Sequence, residues 1–146
     1  MRLKRRYVIC QALSSDDLES NGDEYNARDL QKAIKDKVEA LFGDIGAGQF
    51  GNLSVIHVFD PTSKIFVLRT SREAEISLRL AISCITSVKS KNLLLRTLSV
   101  SGSARTCLEN LRTIFATLVD STNTTEEIKA ERRRYYESFT SNLELV

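Results

Sequence analysis

The chain has 146 residues, of which 42% are hydrophobic and 27% are charged, and its formal net charge is +2. This length suits one folded domain with one core and is too short for two ordinary domains. The three cysteines, Cys10, Cys84 and Cys107, are far apart in apolar segments, which excludes a disulfide framework and indicates reduced thiols inside a cell. No apolar run approaches the roughly 20 residues of a membrane span, and no secretion signal is recognisable, so we expect no membrane partner.

The first half of the chain predicts a strand, a helix and a hairpin. Branched and aromatic residues from Arg6 to Leu13 are typical of a central strand, and a polar loop from Ser14 to Glu24 follows it. An apolar stripe then predicts an amphipathic helix that stops at Gly43. Beyond the glycine-rich stretch GDIGAGQFGN, the runs LSVIHVF and KIFVLRT flank Asp60–Pro61–Thr62–Ser63, which has the composition of a hairpin turn.

The second half predicts a helix, a strand and two further helices. Thr70 and Glu73 have the spacing of a capping box, and the apolar pattern after them predicts a helix that ends near Lys89. LLLRTLSV predicts the fourth strand, and an amphipathic helix begins near Ser103. After a polar break, Thr124 and Glu127 repeat the capping-box spacing at the start of the last helix.

This order of elements, βαββαβ followed by two helices, predicts an α+β fold of the ferredoxin-like kind. We expect a four-stranded antiparallel sheet with the first two helices on one face. The third helix also has an apolar stripe to bury, so the additional C-terminal helices should cover the second face. Residues 1–120 are then one α/β sandwich domain, and residues 121–146 are a helical extension packed on it or beside it.

The sequence contains few residues of the types that usually carry out catalysis. The single histidine, His57, lies in a predicted strand, and no second histidine is present to build a common metal site. A reactive Cys10 or Cys107 would need an activating partner that the chain hardly offers. Asp16 and Asp17 are adjacent carboxylates in a polar loop, where solvated turn residues are expected. We therefore predict neither a catalytic site nor a metal site in the protein.

Positive charge is concentrated at the start of the chain. Four cations, Arg2, Lys4, Arg5 and Arg6, lead directly into the first strand, so they are either a solvated end or a contact for phosphates. The predicted third strand has a single aromatic residue, Phe66, whereas RNA-recognition sheets stack bases on aromatic pairs. If nucleic acid binds here, recognition of its backbone is the better hypothesis.

The stretch Gly102–Ser103–Ala104–Arg105 joins the fourth strand to the third helix. The N–H groups at the start of a helix favour an anion, and Arg105 lies in the first turn. A plain N-cap by Ser103, with Gly102 in a tight turn, explains the same residues. From the residues alone, both interpretations stay open.

Four stretches resemble the Pop-five family, a protein subunit of ribonuclease P and the related ribonuclease MRP. They are MRLKRRYVIC, LFGDIGAGQFG, KIFVLRTSRE and LSVSGSARTC, in the family's order over residues 1–118. The family usually has Thr-Ile where this chain has Ser103 and Ala104. The resemblance implies that metal ions bound to the RNA subunit serve the cleavage of precursor tRNA, and that the protein itself is non-catalytic and holds no cofactor.

The resemblance also implies where the protein acts and what it binds. RNA contacts fall on Arg2, Lys4, Arg5, Arg6 and Arg105, with backbone groups of Gly102 and Ser103. The expected partners are ribonuclease P/MRP RNA, a TIM-barrel protein subunit of the same particle and other ribonuclease P proteins, in the nucleus and nucleolus of a eukaryote. Ribosomal RNA processing is a further expected role, and the first helix with its glycine segment is the expected partner surface. The alternative is a ferredoxin-like protein-interaction or ligand-sensing domain that binds no nucleic acid.

Overall fold

The computed structural model describes residues 4–14, 25–53, 55–60, 63–89, 91–121 and 124–141, and only the backbone of residues 46, 47, 49–53, 55, 57–59 and 91. Arg2, Asp16 and Asp17 lie outside the described residues. The elements in chain order are β1 (Arg5–Ser14), α1 (Ala27–Leu53), β2 (Val55–Phe59), β3 (Ile65–Ser71), α2 (Glu75–Cys84), β4 (Ser87–Val88), β5 (Lys91–Ser101), α3 (Ala104–Ser121) and α4 (Glu126–Ser141).

The strands form one antiparallel sheet in the order β2-β3-β1-β5-β4. Strand β1 is central: Val8 lies opposite Leu68 of β3 and opposite Val100 of β5. A central strand is covered on both faces, which explains why β1 is apolar at successive positions. The four predicted strands and their ferredoxin-like order are confirmed, and the two-residue β4 extends the sheet at its edge.

Two apolar layers cover the two faces of the sheet. Alternate residues of β1, beginning with Val8 and Cys10, pack under α1 and α2 on the first face. Tyr7 and Ile9, which point the other way, pack under α3 and α4 on the second face. The predicted arrangement of helices on both faces is therefore confirmed.

Helix α1 consists of two helical segments joined at Gly43. The backbone of Gly43 has φ 69°, in the left-handed region that favours glycine, so the straight helix stops where the sequence predicts. The chain then returns to helical geometry through Leu53. Gly43 is therefore the end of the first segment only, because the glycines that follow weaken a helix without forbidding it.

Helix α2 is shorter than predicted at both ends. Thr70 and Ser71 belong to β3, and Ser71 Oγ accepts a hydrogen bond from the Ala74 N–H at 3.2 Å, so the helix begins at Glu75 without a capping box. It ends at Cys84, since Ile85 is extended and Ser87–Val88 pairs with β5. Ile85 and Val88 are both buried. In the sequence, their i, i+3 spacing predicts a helical stripe. In the structure, the same two residues are buried in an extended segment.

Helix α4 shares the second apolar layer with α3. The rings of Phe115 and Tyr136 stack with their centroids 4.2 Å apart. The neighbouring Tyr135 hydroxyl donates a hydrogen bond of 3.0 Å to Oδ1 of Asp60, a buried carboxylate at the end of the β2–β3 hairpin. The division into a domain over residues 1–120 and an extension over 121–146 stays a prediction.

Candidate nucleic-acid interface

Three segments meet at one end of the sheet. Arg5 and Arg6 start β1 and lie opposite Ser71 and Thr70 at the end of β3. On the other side of β1, Tyr7 lies opposite Ser101, the last residue of β5. Because the strands are antiparallel, the start of β1 comes beside the start of α3, although the two are about a hundred positions apart in the sequence.

The start of α3 is fixed by side-chain hydrogen bonds. Ser103 is the N-cap: its Oγ accepts a hydrogen bond from the Thr106 N–H at 3.2 Å, and its carbonyl accepts one from the Cys107 N–H at 3.1 Å. One turn later, Asn110 Nδ2 donates to Ser99 Oγ at 3.0 Å and to Ser101 Oγ at 3.1 Å, which ties α3 to β5. The predicted capping role of Ser103 is confirmed. A cap of this kind leaves the N–H groups of Ala104 and Arg105 without acceptors inside the helix.

Gly102 lies against the guanidinium of Arg6. A Cβ atom at position 102 would be 3.2 Å from Arg6 Nη1 and 3.8 Å from Cζ. Gly102 is not among the residues with a positive φ, so its conformation does not demand glycine. The missing side chain instead leaves room for Arg6, whose Nη1 donates a hydrogen bond of 3.1 Å to the Arg5 carbonyl.

These residues line a groove of about 770 Å³. Its lining comes from Lys4 to Tyr7 on one side and from Gly102 to Ala104 on the other. Lys4 and Arg5 are exposed and Arg6 is half-buried. Tyr7 is 6% exposed, so its ring has no free face on which a base could stack. The groove, called here the basic groove, therefore suits an anion held by charge and by backbone N–H groups.

Arg105 lies in the first turn of α3, outside the lining of the basic groove. Its side chain is 90% exposed, and Nε lies 3.5 Å from Glu109 Oε1. An ion pair this exposed contributes little to stability, so the guanidinium remains able to turn toward an incoming anion. The structure thus brings five of the seven predicted contact residues together (Lys4, Arg5, Arg6, Gly102 and Ser103) and places Arg105 beside them.

Two cations at the end of β3 were not predicted as RNA contacts from the sequence. Arg69 lies opposite Tyr7, and the Arg72 N–H donates a hydrogen bond of 3.0 Å to the Lys4 carbonyl. Both arginines occur in the stretch KIFVLRTSRE, but nothing local in the sequence marks them. Only the pairing register of β1 with β3 shows that they lie beside Lys4 and Tyr7.

The buried thiols are poor nucleophiles. Burial raises the pKa of the Cys10 thiol from 9.0 to about 12, and a hydrogen bond with Thr97 opposes part of that rise. Burial likewise raises the pKa of Cys107 from 9.0 to about 11. Both thiols are protonated near neutral pH, whereas nucleophilic attack and metal ligation need the thiolate.

Other candidate sites receive no support from the described part of the chain. The backbone of His57 falls at an irregularity in the β2–β3 pairing, between Ile56 and Val58, and its side chain lies outside the described residues. Within the described ranges, no three His, Cys, Asp or Glu residues are grouped so that they could hold a metal ion. None of the described helices is long and apolar enough to cross a membrane.

Comparison with known proteins relates the chain to one family. The model of the Rpp14/Pop5 family matches residues 6–112. The chain is 31% identical over 112 residues to the probable ribonuclease P/MRP protein subunit POP5 of Arabidopsis thaliana, and the match covers 71% of this chain and 72% of that protein. These matches confirm the resemblance seen in the four sequence stretches.

A solved structure supports the fold. A chain in the cryo-EM structure of yeast ribonuclease MRP aligns with 97% of this chain, over 95% of its own length, with a TM-score of 0.55 and 12% identity. At that level of identity, the match shows similarity of fold and not of function. The two chains therefore have a similar overall fold.

Proposed function

The chain belongs to the Rpp14/Pop5 family, and on this basis we propose that it is a non-catalytic, RNA-binding protein subunit of the ribonuclease P/MRP ribonucleoprotein. In this role it stabilises the RNA that matures the 5′ ends of precursor tRNA, with ribosomal RNA processing as a further role in the MRP particle. Cleavage is assigned to the RNA and to the metal ions bound to it. The nucleus and nucleolus are the corresponding location in a eukaryote.

The observation that carries the proposal is the basic groove. Lys4, Arg5 and Arg6 are held there at the start of a central strand, beside the first turn of α3. Cations fixed on a rigid strand can hold phosphates without the ordering cost that a mobile tail would carry. The described lining offers no exposed aromatic face, so the proposed contact is with the RNA backbone. Arg2, which precedes these residues, is proposed as part of the same contact.

The proposal is tested by reversing charge in the basic groove. We expect R5E/R6E to weaken binding of the full chain to transcribed ribonuclease P RNA by at least tenfold, and to lower the salt dependence of the affinity. The matched control is R28E/R134E, which makes the same change of charge at exposed positions, one at the start of α1 and one in α4. Equal affinities for the two double variants, with both folded by circular dichroism, would remove the basic groove from the RNA contact.

The same measurement separates this function from the alternative. A ferredoxin-like domain that binds only proteins or small ligands would show no salt-dependent affinity for the RNA, alone or with its protein partner. Recovery of ribonuclease P or MRP RNA with the endogenous protein supports the subunit role. Recovery of protein partners without RNA would favour the alternative.

The proposed surface for the TIM-barrel subunit is the kink of α1. Three large apolar side chains are exposed around Gly43: Leu41 at 45%, Phe42 at 37% and Ile45 at 79%. Contiguous exposed apolar residues are typical of a protein-binding surface, and acidic Glu39 and Asp44 are exposed within the same two turns. This surface supports the assignment of the first helix and its glycine segment to partner contact.

Replacing Ile45 tests that surface. We expect I45D to reduce co-purification with the TIM-barrel subunit at least fivefold, because it places a charge among apolar contacts, while RNA binding by the free chain stays unchanged. I76D is the matched control, since Ile76 is 70% exposed on α2. If I45D and I76D co-purify equally well, the kink of α1 is not the contact.

A further inference from the structure

Arg69 and Arg72, at the end of β3, lie outside the lining of the basic groove but next to it in the sheet. We infer that they extend the groove as a second wall, so that the RNA backbone crosses the end of the sheet over three neighbouring strands. The inference rests on the proposed function, because it names further contacts of the same site. Both arginines lie in the stretch KIFVLRTSRE, but neither is among the RNA contacts that the sequence analysis predicts.

Arg72 lies next to the first cation of the groove. Its N–H donates a hydrogen bond of 3.0 Å to the Lys4 carbonyl, one position beyond the last strand pair, Arg5 with Ser71. Both Arg72 and Lys4 are exposed. Their backbones are therefore held at strand spacing, about 5 Å apart, while both side chains remain in contact with solvent.

Arg69 lies on the face of the sheet that also carries Arg5. It is directly opposite Tyr7, which lines the groove and packs in the second apolar layer under α3. Arg5 is two residues from Tyr7 on β1 and therefore points to the same face. Diagonal neighbours in an antiparallel pair are about 7–8 Å apart, within reach of long side chains. Arg69 is half-buried, so its position is better defined than that of a solvated arginine.

The charges at this end of the sheet are largely uncompensated. Among the described residues, the side chains of Arg69 and Arg72 have no ion-pair partner. Of the acids at the starts of the nearby helices, Glu75 pairs with Arg79 and Glu109 with Arg105. Glu73, beside Arg72, is an exposed carboxylate. Among the described residues, cations without an ion-pair partner therefore lie at the end of β3 as well as at the start of β1.

This arrangement determines the direction and the chemistry of the contact. From the end of β3 over β1 to Gly102 after β5, the cations span two strand intervals, about 10 Å. Among the described lining residues, the only aromatic ring is that of Tyr7, which is almost fully buried. The second wall therefore contacts phosphates and not bases, and its contribution is the same for RNAs of different sequence.

The test removes each charge and leaves an unbranched apolar side chain in its place. We expect R69M and R72M each to weaken binding to transcribed ribonuclease P RNA by roughly threefold to tenfold. The slope of log affinity against log salt should fall by about 0.7 for each phosphate that the protein no longer neutralises. The same decrease in affinity is expected with oligouridylate and oligocytidylate of equal length. R69K and R72K retain the charge and should recover most of the affinity.

R134M is the matched control, because Arg134 is exposed on α4, away from the groove. Unchanged affinity and salt slope in R69M and R72M, with R5E/R6E defective, would overturn the second wall and leave the proposed function standing. Normal binding by all of these variants would overturn both. A thermal midpoint lowered in R69M in step with the loss of affinity would assign Arg69 to folding and overturn its role in the contact.

Discussion

At the scale of single residues, Gly102 shows how a missing side chain serves the site. The sequence offers two reasons for a glycine between a strand and a helix: a tight turn, or a close approach of another group. Gly102 has no positive φ, and the guanidinium of Arg6 lies so close that a Cβ atom at position 102 would be 3.2 Å from Arg6 Nη1. The residue therefore matters for where Arg6 is held.

Replacing Gly102 by alanine should separate binding from folding. A Cβ 3.2 Å from Arg6 Nη1 displaces the end of a flexible side chain, so we expect the free energy of unfolding to change by less than about 0.5 kcal/mol. RNA affinity should fall severalfold because Arg6 moves. G48A is the control: no described atom lies within 4 Å of its Cβ in α1, so a gain of about 0.5–1 kcal/mol and no effect on RNA are expected. RNA affinity retained in G102A would show that the position of Arg6 is unimportant.

At the scale of elements, α4 is anchored to the hairpin as well as to α3. Its apolar residues Tyr136 and Phe139 pack on Phe115 of α3. Its Tyr135 reaches the buried carboxylate of Asp60, which also accepts a hydrogen bond of 3.2 Å from the Ser63 N–H. A buried carboxylate needs such donors, so this contact links the last helix to the β2–β3 turn.

Removing the Tyr135 hydroxyl should loosen this link. We expect Y135F to lower the free energy of unfolding by about 1–2 kcal/mol, because a buried oxygen of Asp60 loses a donor. A double-mutant cycle with D60A, which removes the acceptor, followed by urea unfolding, isolates the pair. A coupling energy near zero would mean that the hydrogen bond between Tyr135 and Asp60 does not help to hold α4. RNA affinity should be unchanged in Y135F, since neither Tyr135 nor Asp60 lines the basic groove.

At the scale of the whole molecule, the two buried thiols make the free energy of unfolding depend on pH in the alkaline range. The pKa values of Cys10 and Cys107 rise from 9.0 to about 12 and about 11 in the folded state. Above pH 9 the unfolded chain therefore binds fewer protons than the folded chain, and stability falls with rising pH. The stabilisation is fully present below pH 9 and is lost progressively toward pH 11–12.

Urea unfolding at about pH 7.5 and about pH 10 under reducing conditions measures this effect. The decrease in unfolding free energy between the two pH values should be smaller in C10A/C107A than in the parent chain, by about 2–3 kcal/mol for the two thiols together. The comparison of pH differences cancels the cost of the cavities that the substitutions create. C84A, which removes an exposed thiol, is the control. Equal pH differences in all three proteins would contradict the assignment to the buried thiols.

The sequence predicted elements well wherever one local signal dominated. The continuous run of branched and aromatic residues in β1, the stop at Gly43 and the cap at Ser103 are local signals, and each is found where expected. The errors at α2 arose because a helix and an extended segment can have buried residues at the same spacing. Ile85 and Val88 suit a helical stripe equally well, and the edge of the sheet, which lies next to them only after folding, selects the extended form.

The sequence by itself determined the βαββαβ order, the two apolar faces of the sheet and the cluster of cations at the start of β1. Periodicity, turn residues and charge are properties of short stretches of sequence, so they can be recognised without the tertiary structure. Tertiary structure alone decided which segments meet there. The register of β1 with β3 and β5 brings Arg69 and Arg72 to Lys4, and Gly102 to Arg6, across separations of up to about a hundred residues. The residues of the proposed RNA contact follow from that pairing, since charges act on a common ligand only when folding makes them neighbours.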